Sequence, residues 1–467
     1  MSLRGWSVKH ARLFESLWRV FERLLPKARP LVQWAGPARA ERLLRPIERA
    51  LKRLFFECRM CGRCALSASG MSCPMNCPKQ HRNGPCGGVR ADGGCEIQPA
   101  MRCVWLDSLD GAAHMRDGSG IARAQPAVDF SLEGTSAWVR KILEAPLPAV
   151  EPSPARRGPV SGFERACLSG RFVVTAEITP PDSADGAELL KRAEPLRGAV
   201  DAINVTDGAG AHCHMSSLAA SALLAADGHE PIFQISCRDR NRIAMQGDIL
   251  GAAALGLSNL LCITGDHTAV GDHPQAKSVF DLDAVTLLEA ARRMRDAGSF
   301  ASGRKLGVAP RLFLGATMNP FAPPHEARVA NLERKLAAGA QFIETQYCLD
   351  VPQLERFLAR MRERGLEGRF HLIVGTGPIV SARLARWMLQ HVPGMHIPQA
   401  LIARLERAAD PVREGVRICV ETVERLRELR GVAGVHLMAH RREHLIAEII
   451  ELASLRRQHE GTETAPA

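Results

Sequence analysis

The 467-residue chain reads as an α/β protein in which a (β/α)8 TIM barrel is preceded by a small helical, cysteine-rich metal-binding domain. Three observations lead there. Eight short β-rich runs alternate with amphipathic helical stretches between residues 172 and 439. Eight of the 14 cysteines crowd into residues 58–103. The excess positive charge lies ahead of the β-rich runs: residues 1–57 carry 13 Lys and Arg against 5 Asp and Glu, residues 58–103 carry 6 against 2, and the other 364 carry 42 against 43.

Residues 1–56 form a basic amphipathic helical segment. Leu13, Leu17, Val20, Phe21, Leu24 and Leu25 recur at helical spacing. Pro26, Pro30 and Pro37 interrupt the pattern, and a second helix runs from about Arg39 to Phe56. Its arginines, with Trp6, Trp18 and Trp34, suit a membrane surface; the expectation is instead that the apolar stripe packs on its own protein. The charge asymmetry is read as a docking face for an acidic partner such as an electron-carrier protein, or as a solvated helical face. A near-neutral barrel, and the lack of aromatic residues interleaved with the basic ones, count against nucleic-acid binding. No run reaches bilayer-spanning length, and no small-residue cleavage site follows an apolar stretch at the start. The expected location is cytoplasmic, where thiols stay reduced.

Residues 57–110 hold Cys58, Cys61, Cys64, Cys73, Cys77, Cys86, Cys95 and Cys103, spaced C-x2-C-x2-C-x8-C-x3-C-x8-C-x8-C-x7-C. The segment is rich in Gly and Pro and lacks apolar periodicity, so it cannot build a core of its own, and a bound metal fits that need. Eight thiolates divide into two sets of four. The opening C-x2-C-x2-C and the Cys-Pro pairs favour two [4Fe–4S] clusters; two zinc ions are the alternative. Residues 111–165 are a connector ending in the Pro-rich linker "APLPAVEPSPARRGPVSG".

Residues 166–460 carry the barrel. The strand candidates are 172–179, 201–206, 231–236, 259–264, 311–317, 342–347, 370–376 and 435–439, each followed by a helical pattern. A doubly wound open sheet is the alternative. Chemistry in such a barrel sits where strands end. Those points offer Glu177, Asn204, Thr206, Asp207, His212, Asp266, Glu344 and Gln346. Carboxylates around one pocket supply a proton donor and an electrostatic partner.

The motifs "AEITPP", "NVTDGAGAH", "ITGDH", "NLERKLAAGAQFIETQ", "GTGPI" and "HIPQALIARL", in this order over roughly 170–460, resemble those of the methylenetetrahydrofolate reductases. The resemblance implies a flavin-carrying barrel, FAD or FMN, that interconverts 5,10-methylene- and 5-methyltetrahydrofolate. Glu177 then matches the acid that protonates the bridging folate nitrogen. Asp266 matches the aspartate near flavin and pterin, Gln346 the folate-binding glutamine, and Thr206 a flavin contact. Asn331, Arg334 and Lys335 match the residues that hold the flavin's ribityl and phosphate tail. Thr264 stands where the family has Arg, "QISC" lacks the family's His, Asn319 replaces an aromatic and Arg328 an acid. The cysteine segment resembles the cysteine-rich partner found with some of these reductases, here fused ahead of the barrel. The resulting expectation is a reductase whose electrons pass through clusters of the N-terminal module. The same reaction driven directly by NAD(P)H with structural zinc, or a methyltetrahydrofolate-linked transferase or demethylase, are the alternatives. Association into an oligomer is also open.

Overall fold

The computed structural model describes residues 3–143, 158–392 and 394–455. Most of the Pro-rich linker lies outside them. Eight parallel strands close into a barrel in chain order, β1 to β8, with β8 pairing back onto β1. They are β1 (Val173–Ile178), β2 (Ala202–Val205), β3 (Pro231–Ser236), β4 (Asn259–Ile263), β5 (Phe313–Met318), β6 (Phe342–Thr345), β7 (His371–Thr376) and β8 (Gly434–Leu437). All eight expected strands are present.

Among the described residues, seven helices precede the barrel: α1 (Leu3–Lys9), α2 (Ala11–Leu24), α3 (Arg29–Ala35), α4 (Pro37–Phe56), α5 (Val104–His114), α6 (Ala137–Leu143) and α7 (Gly162–Leu168). Around the barrel follow α8 (Gly186–Ala193), α9 (Ser217–Ala226), α10 (Arg242–Ala254), α11 (Ala284–Ala297), α12 (His325–Ala338), α13 (Val351–Glu363), α14 (Ala382–His391), α15 (Gln399–Arg407), α16 (Pro411–Glu428) and α17 (Glu443–Leu452).

Strand alternation divides the barrel into layers. Val174, Ala176, Ile178, Ile203, Val205, Phe233 and Ile235 face the helices and join the main core. The inward positions nearest the strand starts are apolar: Val173, Ala202, Ile232, Leu261, Phe313, Phe342 and Ile373 pack with Phe163 of α7, which closes this end. Gly315 makes room for Phe342, whose ring lies 2.2 Å from where a Cβ would stand. Towards the strand ends the inward positions turn polar, and Thr175, Asn204, Gln234, Glu344 and His436 are all buried. The sequence therefore seals one end of the barrel with aromatics and leaves chemistry at the other.

The cysteine segment rests on the edge of that second end. Asn83 donates to Asp283 of the β4–α11 connection, Lys79 Nζ donates to the Gly265 carbonyl at 2.9 Å, and Arg242 reaches the Val128 carbonyl at 2.6 Å. The first helices differ from expectation. Leu25 is buried and Phe21 is half-buried, but Leu13, Leu17, Val20 and Leu24 are 49–58% exposed, so their stripe does not pack on its own protein. Ala11, Phe14 and Phe56 on other faces supply the packing instead.

Candidate functional site

The mouth of the barrel holds a line of titratable groups. Glu177, at the end of β1, has a side chain 26% exposed. The β1–β8 register sets Thr175 beside His436, and His436 Nδ1 lies 2.9 Å from Thr175 Oγ1. The imidazole stands between two acids, with Nε2 3.8 Å from Glu177 Oε2 and Nδ1 3.8 Å from Glu344 Oε1. Glu344 Oε2 accepts from Asn204 Nδ2, and Asn204 Oδ1 accepts from Gln234 Nε2 at 2.9 Å. Glu344 Oε1 is buried without a hydrogen-bond partner.

Burial raises the Glu344 carboxyl above its ordinary value, and the Glu177 charge adds to it. Burial opposes charge on His436, but Glu344 and Glu177 outweigh it and lift the imidazole above its usual range. Protons are thus retained between two carboxylates, one sealed in the barrel and one open to the mouth. The sequence reading overlooked His436. Its signal was a lone polar residue at an inward register position of the last strand.

The other expected residues have separate surroundings. Thr206, just past β2, is 3% exposed and its hydroxyl has no partner. Asp266, after β4, is exposed and accepts from the Gly210 N–H at 3.1 Å. Gln346, after β6, is half-buried, and its carbonyl accepts from the Tyr347 N–H at 3.0 Å. Asp207 is committed to the Ser236 N–H and to Arg240. His212 is exposed and faces Asp272 at 4.0 Å, an ordinary surface pair.

Asn331 and Arg334 of α12 bond to the cysteine segment and the connector that follows it, and Lys335 bonds to β5, so none of the three donates into an open pocket. Asn331 Nδ2 donates to the Asn83 carbonyl at 2.9 Å, Arg334 donates to the Gly84 and Ile121 carbonyls, and Lys335 donates to the Thr317 carbonyl. The guanidinium of Arg334 lies 5.2 Å from the centre of the Trp105 ring. Gly84 must lack a side chain, because a Cβ there would stand 2.4 Å from that ring. Two departures from the family pattern touch the same surface. Arg328 donates to the Cys86 carbonyl at 2.7 Å, and Asn319 donates to the Gly87 carbonyl at 3.3 Å. Every hydrogen bond of Arg328, Arg334 and Lys335 goes to a backbone carbonyl. Burial, with Arg328 and Arg334 beside it, pushes the Lys335 ammonium down to about 7.

The eight clustered thiols separate by position. Cys58, Cys61, Cys64 and Cys73 line one small cavity, with Lys52 and Arg82 in its wall. Cys77, Cys86, Cys95 and Cys103 line a second, walled by His81, Glu96 and Trp105. Among the described residues, no three His, Cys, Asp or Glu side chains converge as they would around a single metal ion. Each set of four instead surrounds a volume.

A closed (β/α)8 barrel with an acid–imidazole–acid line at its mouth and a tetrathiol module on its rim defines the class. Residues 163–454 match the family model described as methylenetetrahydrofolate reductase, and residues 38–131 match one described as methylene-tetrahydrofolate reductase C terminal, which here precedes the barrel. The chain belongs to the methylenetetrahydrofolate reductase family. It is 27% identical over 249 residues to a protein of Caenorhabditis elegans named "Probable methylenetetrahydrofolate reductase (NADPH)", covering 51% of this chain and 34% of that one. The chain thus spans about a third of that curated relative's length. Similar solved structures include a Clostridium thermocellum protein that binds two copies of 5-methyl-5,6,7,8-tetrahydrofolic acid, with 14% identity, TM-score 0.46, 63% of this chain and 99% of that chain. Another is the EDTA monooxygenase EmoA of Chelativorans sp. BNC1, with 10% identity, TM-score 0.41, 61% of this chain and 94% of that chain. Among the described residues, no helix is long and apolar enough to cross a membrane.

Proposed function

We propose that the chain interconverts 5,10-methylenetetrahydrofolate and 5-methyltetrahydrofolate. The observation that carries this reading is the Glu177–His436–Glu344 line at the open mouth of a barrel belonging to this family. Glu177 is its only solvent-open member and is the group placed to give a proton to the bridging folate nitrogen. His436, held by Thr175 Oγ1 and flanked by both acids, orients Glu177 and returns a proton to it. Asp266 is the exposed charge that stabilises cationic character developing on the substrate, and Gln346 is the amide that binds the pterin. In the reverse direction the same groups serve with roles exchanged.

A flavin bound at the mouth would supply the hydride. The ring end fits the residues present: the unpaired Thr206 hydroxyl is a donor waiting for an acceptor, and Asp266 is open. The tail end does not fit the placement implied by family resemblance, because Asn331, Arg334 and Lys335 are spent on the cysteine segment and neighbouring carbonyls. A flavin tail, in FAD or FMN, would need other partners. This same observation favours a second reading, a methyltetrahydrofolate-linked transferase or demethylase that works without flavin.

The sorting of the eight thiols into two sets of four supports two tetrathiolate sites, and the C-x2-C-x2-C opening favours [4Fe–4S] clusters in them, with two zinc ions as the alternative. Cys58, Cys61, Cys64 and Cys73 would hold one [4Fe–4S] cluster, and Cys77, Cys86, Cys95 and Cys103 the other. Such clusters supply one-electron transfer between the barrel and a reduced partner, for which an acidic carrier protein is the proposed class. The buried cations of α12 lie beside the second set and match the negative charge of a thiolate-bound cluster.

The test is the full chain purified without oxygen, assayed for iron, sulfide, zinc and flavin, then for methyl-folate oxidation with an artificial electron acceptor. Bound flavin, about eight irons per chain and turnover that Glu177→Gln removes are the expected results. A colourless protein that transfers the methyl group would establish the second reading.

A further inference from the structure

Residues 11–54 sort their side chains in an unusual way. The four carboxylates of this stretch all turn inward, onto residues 115–141. Glu15 accepts from the Arg116 and Asp117 N–H groups at 2.6 and 3.2 Å. Glu41 accepts from the Ser136 N–H at 2.6 Å, and Glu48 accepts from Ser136 Oγ and the Trp138 N–H. Glu22 pairs with Lys141 at 2.9 Å. Every Lys and Arg from Arg12 to Arg53 except Lys52 is exposed, ten cations in all, of which Arg19 pairs with Glu15. Of the four carboxylates Glu15 and Glu48 are buried, Glu41 is half-buried, and Glu22, paired with Lys141, reaches solvent with its side chain 42% exposed.

Large apolar side chains share this outward surface. On α2, Leu13, Leu17, Val20 and Leu24 follow one another at helical spacing and are each about half exposed or more, at 49–58%. On α4, Leu43, Ile47, Leu51 and Leu54 repeat the arrangement at 47–71%. Between them on α3 stand Leu31 at 64% and Trp34 at 85%. A monomer rarely leaves so many large hydrophobics together in water. Both helices meet the rest of the protein on different faces, through Ala11, Phe14 and Phe56 and through Val32, Ala40 and Leu44, so the exposed stripes are not their packing faces.

We propose that α2–α4 form a docking surface for an anionic lipid bilayer, lying in the headgroup layer without crossing it. Leucine stripes enter the acyl boundary, Trp34 sits at the interface, and arginines flanking the stripes pair with lipid phosphates. Charge complementarity selects this occupant. Ten exposed cations against a single solvent-open carboxylate, Glu22, already paired with Lys141, match a negative plane; a second copy of the chain would bring ten more cations against them. An acidic carrier would answer the cations but leave the leucine stripes without a partner. The surface ends at Phe56, two residues before Cys58, so docking would set the first four-thiolate site close to the bilayer.

The test is flotation of the full chain with phosphatidylcholine vesicles, with and without phosphatidylglycerol. Anionic vesicles are expected to carry the protein, at least ~10-fold more strongly than zwitterionic ones, with the difference shrinking in high salt. Leu17→Glu combined with Ile47→Glu should abolish flotation while leaving the melting temperature and metal content unchanged, since both side chains are exposed. Failure to float with anionic vesicles would overturn the proposal. So would a stable dimer in light scattering that the double variant dissociates, or saturable capture by an acidic protein that removes vesicle binding from the same face.

Discussion

Two edges of one barrel mouth solve the same problem in opposite ways. On the β1, β6 and β8 side, titratable groups face one another: His436 stands between the solvent-open Glu177 and the buried Glu344, with Thr175 and Asn204 beside them. On the β5 and α12 side, three buried cations have only backbone carbonyls, several of them from the cysteine segment. The first edge is drawn from barrel residues alone. The second is complete only when residues 83–121 are docked on it. The proposed proton donor is therefore positioned by the barrel alone, whereas the surroundings of the second thiol set are shared between barrel and module.

The largest expected effects strike the two thiol sets. Cys73→Ser and Cys103→Ser each remove a buried thiol from a different cavity. Each should lose about half the bound iron and sulfide, measured by metal analysis, and the barrel should keep its far-ultraviolet signal. If either variant lost both clusters, the two cavities would be one cooperative unit and the separation drawn here would fail.

Next comes Glu177→Gln, expected to lower kcat by about 10²–10⁴-fold with iron content unchanged. A parallel loss of iron would show that the two edges are coupled. Arg334→Ala should weaken the docking of residues 83–121 by about 1–3 kcal/mol, because the Gly84 and Ile121 carbonyls lose their donor. Hydrogen exchange at those amides is the measurement. Flavin content should stay constant; if flavin were lost and exchange unaltered, Arg334 would belong to the flavin tail after all.

A smaller effect follows from the raised proton affinities of His436 and Glu344. The folded chain holds these protons more tightly than the unfolded chain. Their stabilisation is full below the unfolded values and fades as pH rises through the folded ones. The stability that His436 contributes should therefore fade as pH rises above about 6.5, so the melting-temperature gap between the wild type and His436→Asn should narrow there. Smallest is Thr206→Val. Its hydroxyl is buried without a partner, so stability should change by less than about 1 kcal/mol. A fall in flavin or folate affinity would mark the hydroxyl as a ligand donor.

Much of this was legible in the chain. Strand runs such as "FVVTAEIT" and "FHLIVGT" are too apolar and too regularly alternated with helical patterns to close as anything but a buried parallel sheet. Glu177 and Asp266 announced themselves by standing at strand ends. The eight cysteines announced a metal by their density. These features are local, and local features are what period and spacing encode.

Three things were decided only by tertiary structure. His436 became a partner of Glu177 because β8 closes onto β1 across 261 residues, a contact no periodicity reports. Asn331 and Arg334 kept their motif but face a module whose docking site is set by surface shape and by carbonyls near Gly84 and Cys86. The leucine stripe of α2 looked like a core face, and the fold buried Ala11 and Glu15 instead. Sequence by itself determined the elements and the barrel, because those depend on side-chain period and chemistry. Which charges meet, and which apolar face stays in water, depends on long-range closure that the order of residues alone does not express.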